Sequence, residues 1–122
     1  MIIVLAFVFL GLLSVTEHML VSHLAHSALS ETAAIMDEIR AYRLDEAMKK
    51  AHALDQTWDR EARKLELLVN HSSTDEVRYA LSRLLSALEG EDRAGALIYA
   101  GELEGALEHV HERQALTFEN IL

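Results

Sequence analysis

The sequence predicts an all-α protein in which an N-terminal transmembrane helix is followed by a small antiparallel helical bundle. The chain of 122 residues has no proline and only five glycines, while helix-favouring alanine, leucine and glutamate are frequent. The first sixteen residues carry no charged side chain. Beyond them, apolar residues recur at helical spacing. The predicted units are a transmembrane anchor over 1–22, a juxtamembrane helix over 23–43 and an antiparallel three-helix bundle with a C-terminal tail over 44–122.

The apolar run at the N-terminus predicts the anchor. A helix from Met1 to Val21 is about 32 Å long, close to the thickness of the hydrocarbon core of a bilayer. Glu17 and His18 then lie near its end. A cleaved signal peptide is an alternative, because Ala-His-Ser at 25–27 resembles a small-x-small cleavage site. A buried core helix is a second alternative.

The charge distribution indicates location and excludes some functions. The formal net charge is −9, and no lysine or arginine precedes Arg40. Because positive residues stay in the cytoplasm, we expect a single-pass protein of the cell membrane with its C-terminal domain outside the cytoplasm. An acidic chain without a basic cluster is not expected to bind nucleic acid. The absence of cysteine excludes disulfides and cysteine nucleophiles.

The next two helices follow from their apolar spacing. The juxtamembrane helix is predicted to run to about Tyr42, with an apolar stripe of Ala25, Leu29, Thr32, Ala33, Met36 and Ile39. The second helix is predicted to begin near Asp45 and to end near residues 70–71. Its apolar residues have heptad spacing and are Leu44, Ala47, Ala51, Leu54, Trp58, Leu65 and Leu68.

Capping signals delimit the last two helices. Ser73 and Glu76 form a capping box for the third, whose apolar face is Val77, Ala80, Leu81, Leu84, Leu85 and Leu88. Gly90 suits the end of that helix, and Asp92 can cap the fourth. The fourth is predicted to end near Glu112 and to bury Ala96, Ala100, Leu103, Leu107 and Val110. Short connections predict an up-and-down arrangement of the bundle.

Three residues are candidates for a metal or pH-sensing site: His71, Asp75 and His109. In an up-and-down bundle they fall at one end, where they could bind a divalent cation or titrate near pH 6–7. The structural alternative is that the histidines bond loop carbonyls. His23 and His26 share a helix face and, with acidic residues of a second chain, offer a further zinc hypothesis. No combination of nucleophile and base is recognisable, so no catalytic residue and no cofactor is predicted.

Two features indicate contacts with other proteins. Trp58 occupies a heptad position, which is typical of the core and otherwise of an interface. The apolar residues of the C-terminal tail are expected to fold back onto the bundle near His71 or His109, or else to dock onto a partner. These tail residues are Leu116, Phe118, Ile121 and Leu122.

The C-terminal half of the chain resembles an uncharacterised bacterial family, Domain of Unknown Function 4363. The residues that carry the resemblance are Trp58, Leu68 and His71 in LLVNH, Asp75, Leu81 and Leu84 in ALSRLL, Glu108 and His109 in ALEHV, and the terminal LTFENIL. The resemblance implies one N-terminal membrane helix followed by a helical region, and it implies no known activity. The family often has a second tryptophan where Leu65 stands. It also often has an acidic residue where Ser73 stands, so this chain lacks one possible ligand, which weakens the metal hypothesis.

The sequence therefore predicts a membrane-anchored, non-enzymatic helical protein that acts through protein contacts. Its predicted partners are membrane lipid, through residues 1–22, and either a second copy or another membrane protein. The alternative function is an extracytoplasmic domain that senses pH or a divalent cation through His71, Asp75 and His109.

Overall fold

The protein folds into four α-helices within the residues that the structure, a computed structural model, describes. The backbone is described over 1–65 and 71–121, and the side chains of these ranges are described except at 14, 17, 18, 65, 71–73 and 113–121. The helices are α1 (Ile2–Arg40), α2 (Leu44–Leu65), α3 (His71–Glu89) and α4 (Arg93–Ile121). No strand occurs in these ranges, which confirms the predicted all-α class.

The four helices pack as an up-and-down bundle in which each helix contacts two neighbours. Helix α1 packs against α2 and α4, and α3 packs against the same two helices. The turns at 41–43 and 90–92 are short, so the helices that they join run antiparallel. We call the end of the bundle with these two turns the loop end, and the opposite end the base.

Helix α1 adds a fourth member to the bundle that the sequence predicted from three. Its nearly fully buried side chains recur at spacings of three, four and seven residues: Val21, Ala25, Ala28, Thr32, Ile35 and Ile39. The predicted stripe correctly included Ala25, Thr32 and Ile39, whereas Ala33 is exposed. Because an apolar stripe of this width must be covered, the C-terminal half of α1 packs between α2 and α4.

The predicted core faces of the other helices are confirmed where the structure describes them. The buried side chains are Ala47, Ala51, Leu54, Trp58 and Ala62 of α2, Val77, Ala80, Leu81, Leu84, Ala87 and Leu88 of α3, and Ala96, Ala100, Leu103, Ala106, Leu107 and Val110 of α4. Leu44 and Leu85 are partly buried. Many of these positions are alanines, and such small side chains let the helix backbones approach closely.

Both turns at the loop end use a non-glycine residue in the left-handed conformation. Tyr42 has a φ of 62° and Glu91 a φ of 54°. In the second turn, the Asp92 N–H donates to the Ala87 carbonyl at 2.9 Å and the Glu91 N–H to the Leu88 carbonyl at 3.1 Å, as in a Schellman motif. The sequence suggested Gly90 as the helix stop, but Glu91 takes the left-handed position instead.

Three helix termini test the predicted boundaries. The predicted cap at Asp92 is confirmed, because its Oδ1 accepts a hydrogen bond from the Gly95 N–H at 2.9 Å. Helix α3 begins at His71, so Ser73 lies inside the helix rather than in front of it. Helix α4 does not end near Glu112 but continues to Ile121.

Helix α1 is 39 residues long and contains the predicted anchor. Within the part of the chain that the structure describes, no helix has an apolar stretch long enough to cross a membrane. The transmembrane helix therefore stays a prediction from the sequence.

Candidate functional site

The N-terminal half of α1 carries apolar side chains that the bundle does not cover. We call residues 1–20 the apolar segment; its large hydrophobic side chains, where described, are 40–100% exposed. The change comes at Val21, since every described side chain of residues 1–20 is exposed, whereas Val21 is 2% exposed and begins the buried stripe of α1. Elsewhere among the described side chains, only Tyr42, Tyr79 and Ile98 are large, apolar and exposed. The exposed apolar surface is therefore concentrated on one helical segment.

The apolar segment is suited to an environment without water. Removing one exposed valine, leucine, isoleucine or phenylalanine side chain from water is favourable by roughly 1.5–3 kcal/mol. The backbone N–H groups bond within the helix from that of Leu5 onward, which donates to the Met1 carbonyl at 3.1 Å, and an apolar medium requires such bonding. The Thr16 hydroxyl also donates to the Leu12 carbonyl at 2.8 Å, so this polar side chain is satisfied without water.

Two histidines of α4 contact neighbouring helices near the base. The Nδ1 atom of His111 lies 3.2 Å from the Ser22 hydroxyl, one residue from the start of the buried part of α1. The Nδ1 atom of His109 lies 3.7 Å from a carboxylate oxygen of Glu76 on α3. The contact between His111 and Ser22 shows that α4 packs against α1 two residues after the end of the apolar segment.

A groove between α1 and α2 opens at the same level. It has a volume of about 570 Å³. Its apolar lining is Leu20 and Leu24 of α1, and its polar lining is His23, Ser27, Thr57, Glu61 and Lys64. We call it the α1–α2 groove. The sequence does not indicate this groove, because residues up to 22 are predicted to lie in the membrane. The i, i+4 spacing of Leu20 and Leu24 is the sequence signal that places both on one face of α1.

The predicted metal or pH-sensing trio is not assembled by the part of the chain that the structure describes. The carboxylate that lies near His109 is Glu76 and not the predicted Asp75. The side chain of His71 lies outside the described residues. Among those that are described, no group of three or more histidine, aspartate or glutamate side chains is placed to hold a metal ion. His23 lines the α1–α2 groove and His26 is exposed.

The predicted interaction residues separate into a core residue and the tail. Trp58 is 2% exposed, so it belongs to the core and is not available to a partner. Its indole N–H is buried without a hydrogen-bond partner. The tail does not fold back, since its backbone continues α4 to Ile121. The side chains of Leu116, Phe118 and Ile121, and all of Leu122, lie outside the described residues.

The fold and the apolar segment define a class of protein: an up-and-down four-helix bundle whose first helix bears an exposed apolar half. The chain belongs to the family described as Domain of unknown function (DUF4363), whose model matches residues 15–121. This confirms the resemblance found in the sequence. No curated protein matches the chain. No solved structure matches it either.

Proposed function

We propose that the protein is a non-enzymatic helical module held at a lipid bilayer by the apolar segment of α1. The observation that supports the proposal is that every described side chain of residues 1–20 is exposed, whereas the buried stripe of α1 begins at Val21. Exposed apolar surface of this extent is typical of protein or membrane contact sites. Counted over the whole sequence, with residues 14, 17 and 18 whose side chains the structure does not describe, the helix of residues 1–20 is about 30 Å long, which is the thickness of the hydrocarbon core.

We propose that the anchor ends at residue 20 rather than at residue 22. Val21 belongs to the core of the bundle and cannot also contact lipid. Ser22 and His111 then lie at the membrane surface, and the backbone of α4 continues past this level to Ile121. The non-enzymatic part of the proposal comes from the sequence, in which no nucleophile and base could be combined.

Membrane insertion is tested by replacing Leu5 and Leu10 with lysine. These side chains are 64% and 58% exposed and lie in the middle of the apolar segment. Each lysine near the centre of a membrane helix costs about 2.5–3.5 kcal/mol, so the double variant loses most of the free energy of insertion. We expect the native chain to float with lipid vesicles and to resist alkaline extraction, and the variant to do neither.

The matched control replaces Tyr79 and Ile98 with lysine. These side chains are 59% and 63% exposed but lie on α3 and α4 of the bundle. The control adds the same charge to equally exposed apolar positions and is expected to float like the native chain. A native chain that stays in the aqueous fraction contradicts the proposal.

The proposed orientation has the bundle outside the cytoplasm, because the flank after the apolar segment has no lysine or arginine before Arg40. The absence of native cysteine allows a clean test. A Gln56→Cys variant has a single thiol on an exposed position of α2. A maleimide that cannot cross membranes should label it in intact cells as fully as in broken cells. Labelling in broken cells only would place the bundle in the cytoplasm.

The accessory role that we propose requires a protein neighbour, either a second copy or another membrane protein. Tyr79 and Ile98 give α3 and α4 exposed apolar side chains that suit such a contact. A photoreactive amino acid at Ile98 should crosslink a protein in native membranes, whereas the same group at Gln56 should not. A monomer without crosslinks from Ile98 would contradict the accessory role and leave membrane insertion unaffected.

A further inference from the structure

A second groove lies between α3 and α4, on the opposite side of the bundle from the α1–α2 groove. It has a volume of about 460 Å³, and we call it the α3–α4 groove. Its lining combines the exposed ring of Tyr79 with the small residues Ala80, Gly105 and Ala106. Ile98, also exposed, lies one turn before the lining residues of α4. The two exposed apolar side chains of α3 and α4 therefore lie at this groove.

Two ion pairs cross the α3–α4 groove, two helical turns apart. Toward the loop end, Arg83 Nη1 lies 3.6 Å from a carboxylate oxygen of Glu102. Toward the base, His109 Nδ1 lies 3.7 Å from a carboxylate oxygen of Glu76, and this pair is charged when the histidine is protonated. Although the whole chain is acidic, the rim of this groove thus carries both signs of charge. Each acidic side chain has a basic one at the same height on the other helix.

Gly105 leaves free space in the groove. Within the part of the chain that the structure describes, a Cβ atom there would meet nothing within 4 Å beyond its own helix. Glycine destabilises the interior of a helix relative to alanine, so the single chain gives no steric reason for it. Tyr79 lies at the same height, because it and Gly105 are both about midway between the two ion pairs along their helices. Tyr79 is exposed and does not fill this space itself.

A second copy would fill this space if a two-fold axis ran along the groove. Such an axis places α3 of each copy opposite α4 of the other copy, at the same height. Tyr79 then faces Gly105 of the second copy, and Arg83 faces Glu102 of the second copy. Each of these charges has an opposite charge beside it in its own chain and another across the interface. The face is therefore complementary to itself in shape and in charge, as a symmetric interface requires.

The proposed membrane anchor favours the same axis. When two copies share one bilayer, a two-fold axis in the plane of the membrane would point their apolar segments in opposite directions. The axis has to run along the membrane normal instead. Helix α1 continues without interruption from the apolar segment into the bundle, so the helices and the groove between them follow this direction. Confinement to one membrane also raises the effective concentration of the second copy.

We infer that the protein forms a two-fold symmetric dimer through the α3–α4 groove, with Tyr79 of each copy against Gly105 of the other. The inference deepens the accessory role proposed above, because it identifies the protein neighbour as a second copy. It rests on the proposed function, since the direction of the axis follows from apolar segments that lie in one bilayer.

The test exchanges charges between two chains. Arg83→Glu alone and Glu102→Arg alone each bring like charges together across the interface, and each variant should dimerise roughly tenfold more weakly than the native chain. When the two variants are mixed, opposite charges face each other again at both positions. The mixture should therefore dimerise at least as well as the native chain. Energy transfer between dyes on a single Lys49→Cys thiol measures dimerisation in phosphatidylcholine vesicles, since the native chain has no cysteine and Lys49 is 74% exposed.

The matched controls are Arg78→Glu and Asp59→Arg. Arg78 and Asp59 form an ion pair of similar exposure, at 3.8 Å, but it joins α3 to α2 and lies outside the lining of the α3–α4 groove. Each control breaks an ion pair between helices and should dimerise like the native chain. Circular dichroism of every variant confirms that it remains folded.

Gly105→Leu separates dimerisation from folding. Leucine favours a helix over glycine and has free space at this position, so the variant should unfold in mild detergent no more easily than the native chain. The same side chain occupies the space for Tyr79 of the second copy. It should therefore weaken dimerisation in vesicles roughly tenfold.

The outcomes separate this inference from the proposed function. Single charge variants that dimerise like the native chain, or a mixture that does not recover, overturn the inference. A native chain that floats with vesicles but shows no energy transfer overturns the dimer and leaves the anchor in place. A crosslink from Ile98 to a different protein only overturns the dimer and leaves the accessory role in place. A chain that does not float overturns the anchor and the inference with it.

Discussion

The carboxylate of Glu38 accepts two hydrogen bonds from the guanidinium of Arg43 across the turn between α1 and α2. The distances are 2.9 Å from Nε to Oε2 and 3.0 Å from Nη2 to Oε1. Lys50 lies 3.5 Å from the same carboxylate, whose side chain is only 13% exposed. The hydrogen bonds from Arg43, assisted by the charges of Arg43 and Lys50, lower the pKa of Glu38 from 4.5 to about 2 despite partial desolvation.

This low pKa makes part of the stability depend on pH. Because the pKa of Glu38 is lower in the folded chain than its ordinary 4.5, its contribution is complete above that value and is lost as the pH falls towards about 2. We expect Glu38→Gln to be less stable than the native chain in urea at pH 7, and the difference to disappear near pH 2.

The control for this prediction is Glu46→Gln. Glu46 is 50% exposed and its ion pair with Lys49, at 3.2 Å, lies within one helix. Such exposed pairs contribute little, so this variant should stay close to the native chain at both pH values. A Glu38→Gln difference that is equally large at pH 7 and pH 2 would contradict the role assigned to the Arg43 hydrogen bonds.

The membership of α1 in the bundle predicts a large effect of Ile35→Ala. The Ile35 side chain is fully buried, and truncation of such a residue to alanine costs about 2–5 kcal/mol of the free energy of unfolding. The only tryptophan, Trp58, is buried in the same core, so its fluorescence reports unfolding in urea and mild detergent. Leu13→Ala is the control, because Leu13 is 49% exposed and should not affect the bundle. If Ile35→Ala changes the free energy of unfolding by less than 1 kcal/mol, α2, α3 and α4 form a stable bundle without α1.

The contacts of Arg93 predict that this side chain stabilises the junction between α1 and α4. Its Nε donates to the Ile39 carbonyl at 3.1 Å and its Nη2 to the Arg40 carbonyl at 3.3 Å, in the last turn of α1. The Ile39 carbonyl also accepts a hydrogen bond from the Tyr42 N–H at 3.1 Å. Its guanidinium carbon also lies 4.1 Å from the ring centroid of Tyr42.

We expect Arg93→Ala to lower the free energy of unfolding by about 1–2 kcal/mol. Arg93→Lys should recover less than half of this loss, because one ammonium cannot reproduce two hydrogen bonds and the stacking of a planar group. Urea unfolding followed by circular dichroism measures both. If Arg93→Lys is as stable as the native chain, the positive charge alone stabilises the junction.

The sequence predicted the helices well because their apolar spacing is local information. The faces of α3 and α4 could be read from residues such as Leu84 and Leu103 alone. The packing of α1 was harder to predict. The strongly apolar N-terminus led to the prediction that Val21 lies in the membrane, whereas Val21 belongs to the core of the bundle. The α1–α2 groove could not be predicted from one helix, since Leu24 of α1 and Lys64 of α2 line the same groove only when the two helices pack together.

The turn between α3 and α4 shows the same limit and yields the last prediction. Gly90 was the expected helix stop, yet the left-handed residue is its neighbour Glu91, with a φ of 54°. A residue with a Cβ atom is disfavoured there by roughly 1–2 kcal/mol, whereas glycine adopts this conformation freely. After allowance for the larger entropy of an unfolded glycine, we expect Glu91→Gly to raise the free energy of unfolding by about 0.5–1 kcal/mol.

The neighbouring glycine supplies the contrasting variant. Gly90 does not have a positive φ, and a Cβ atom there would lie 3.5 Å from the Ser86 carbonyl oxygen, an ordinary contact. Gly90→Ala should therefore be neutral or stabilise by up to about 1 kcal/mol through the unfolded state. Thermal unfolding measures the stability of both variants. If Gly90→Ala is destabilised and Glu91→Gly is as stable as the native chain, the left-handed residue of the turn is Gly90 and not Glu91.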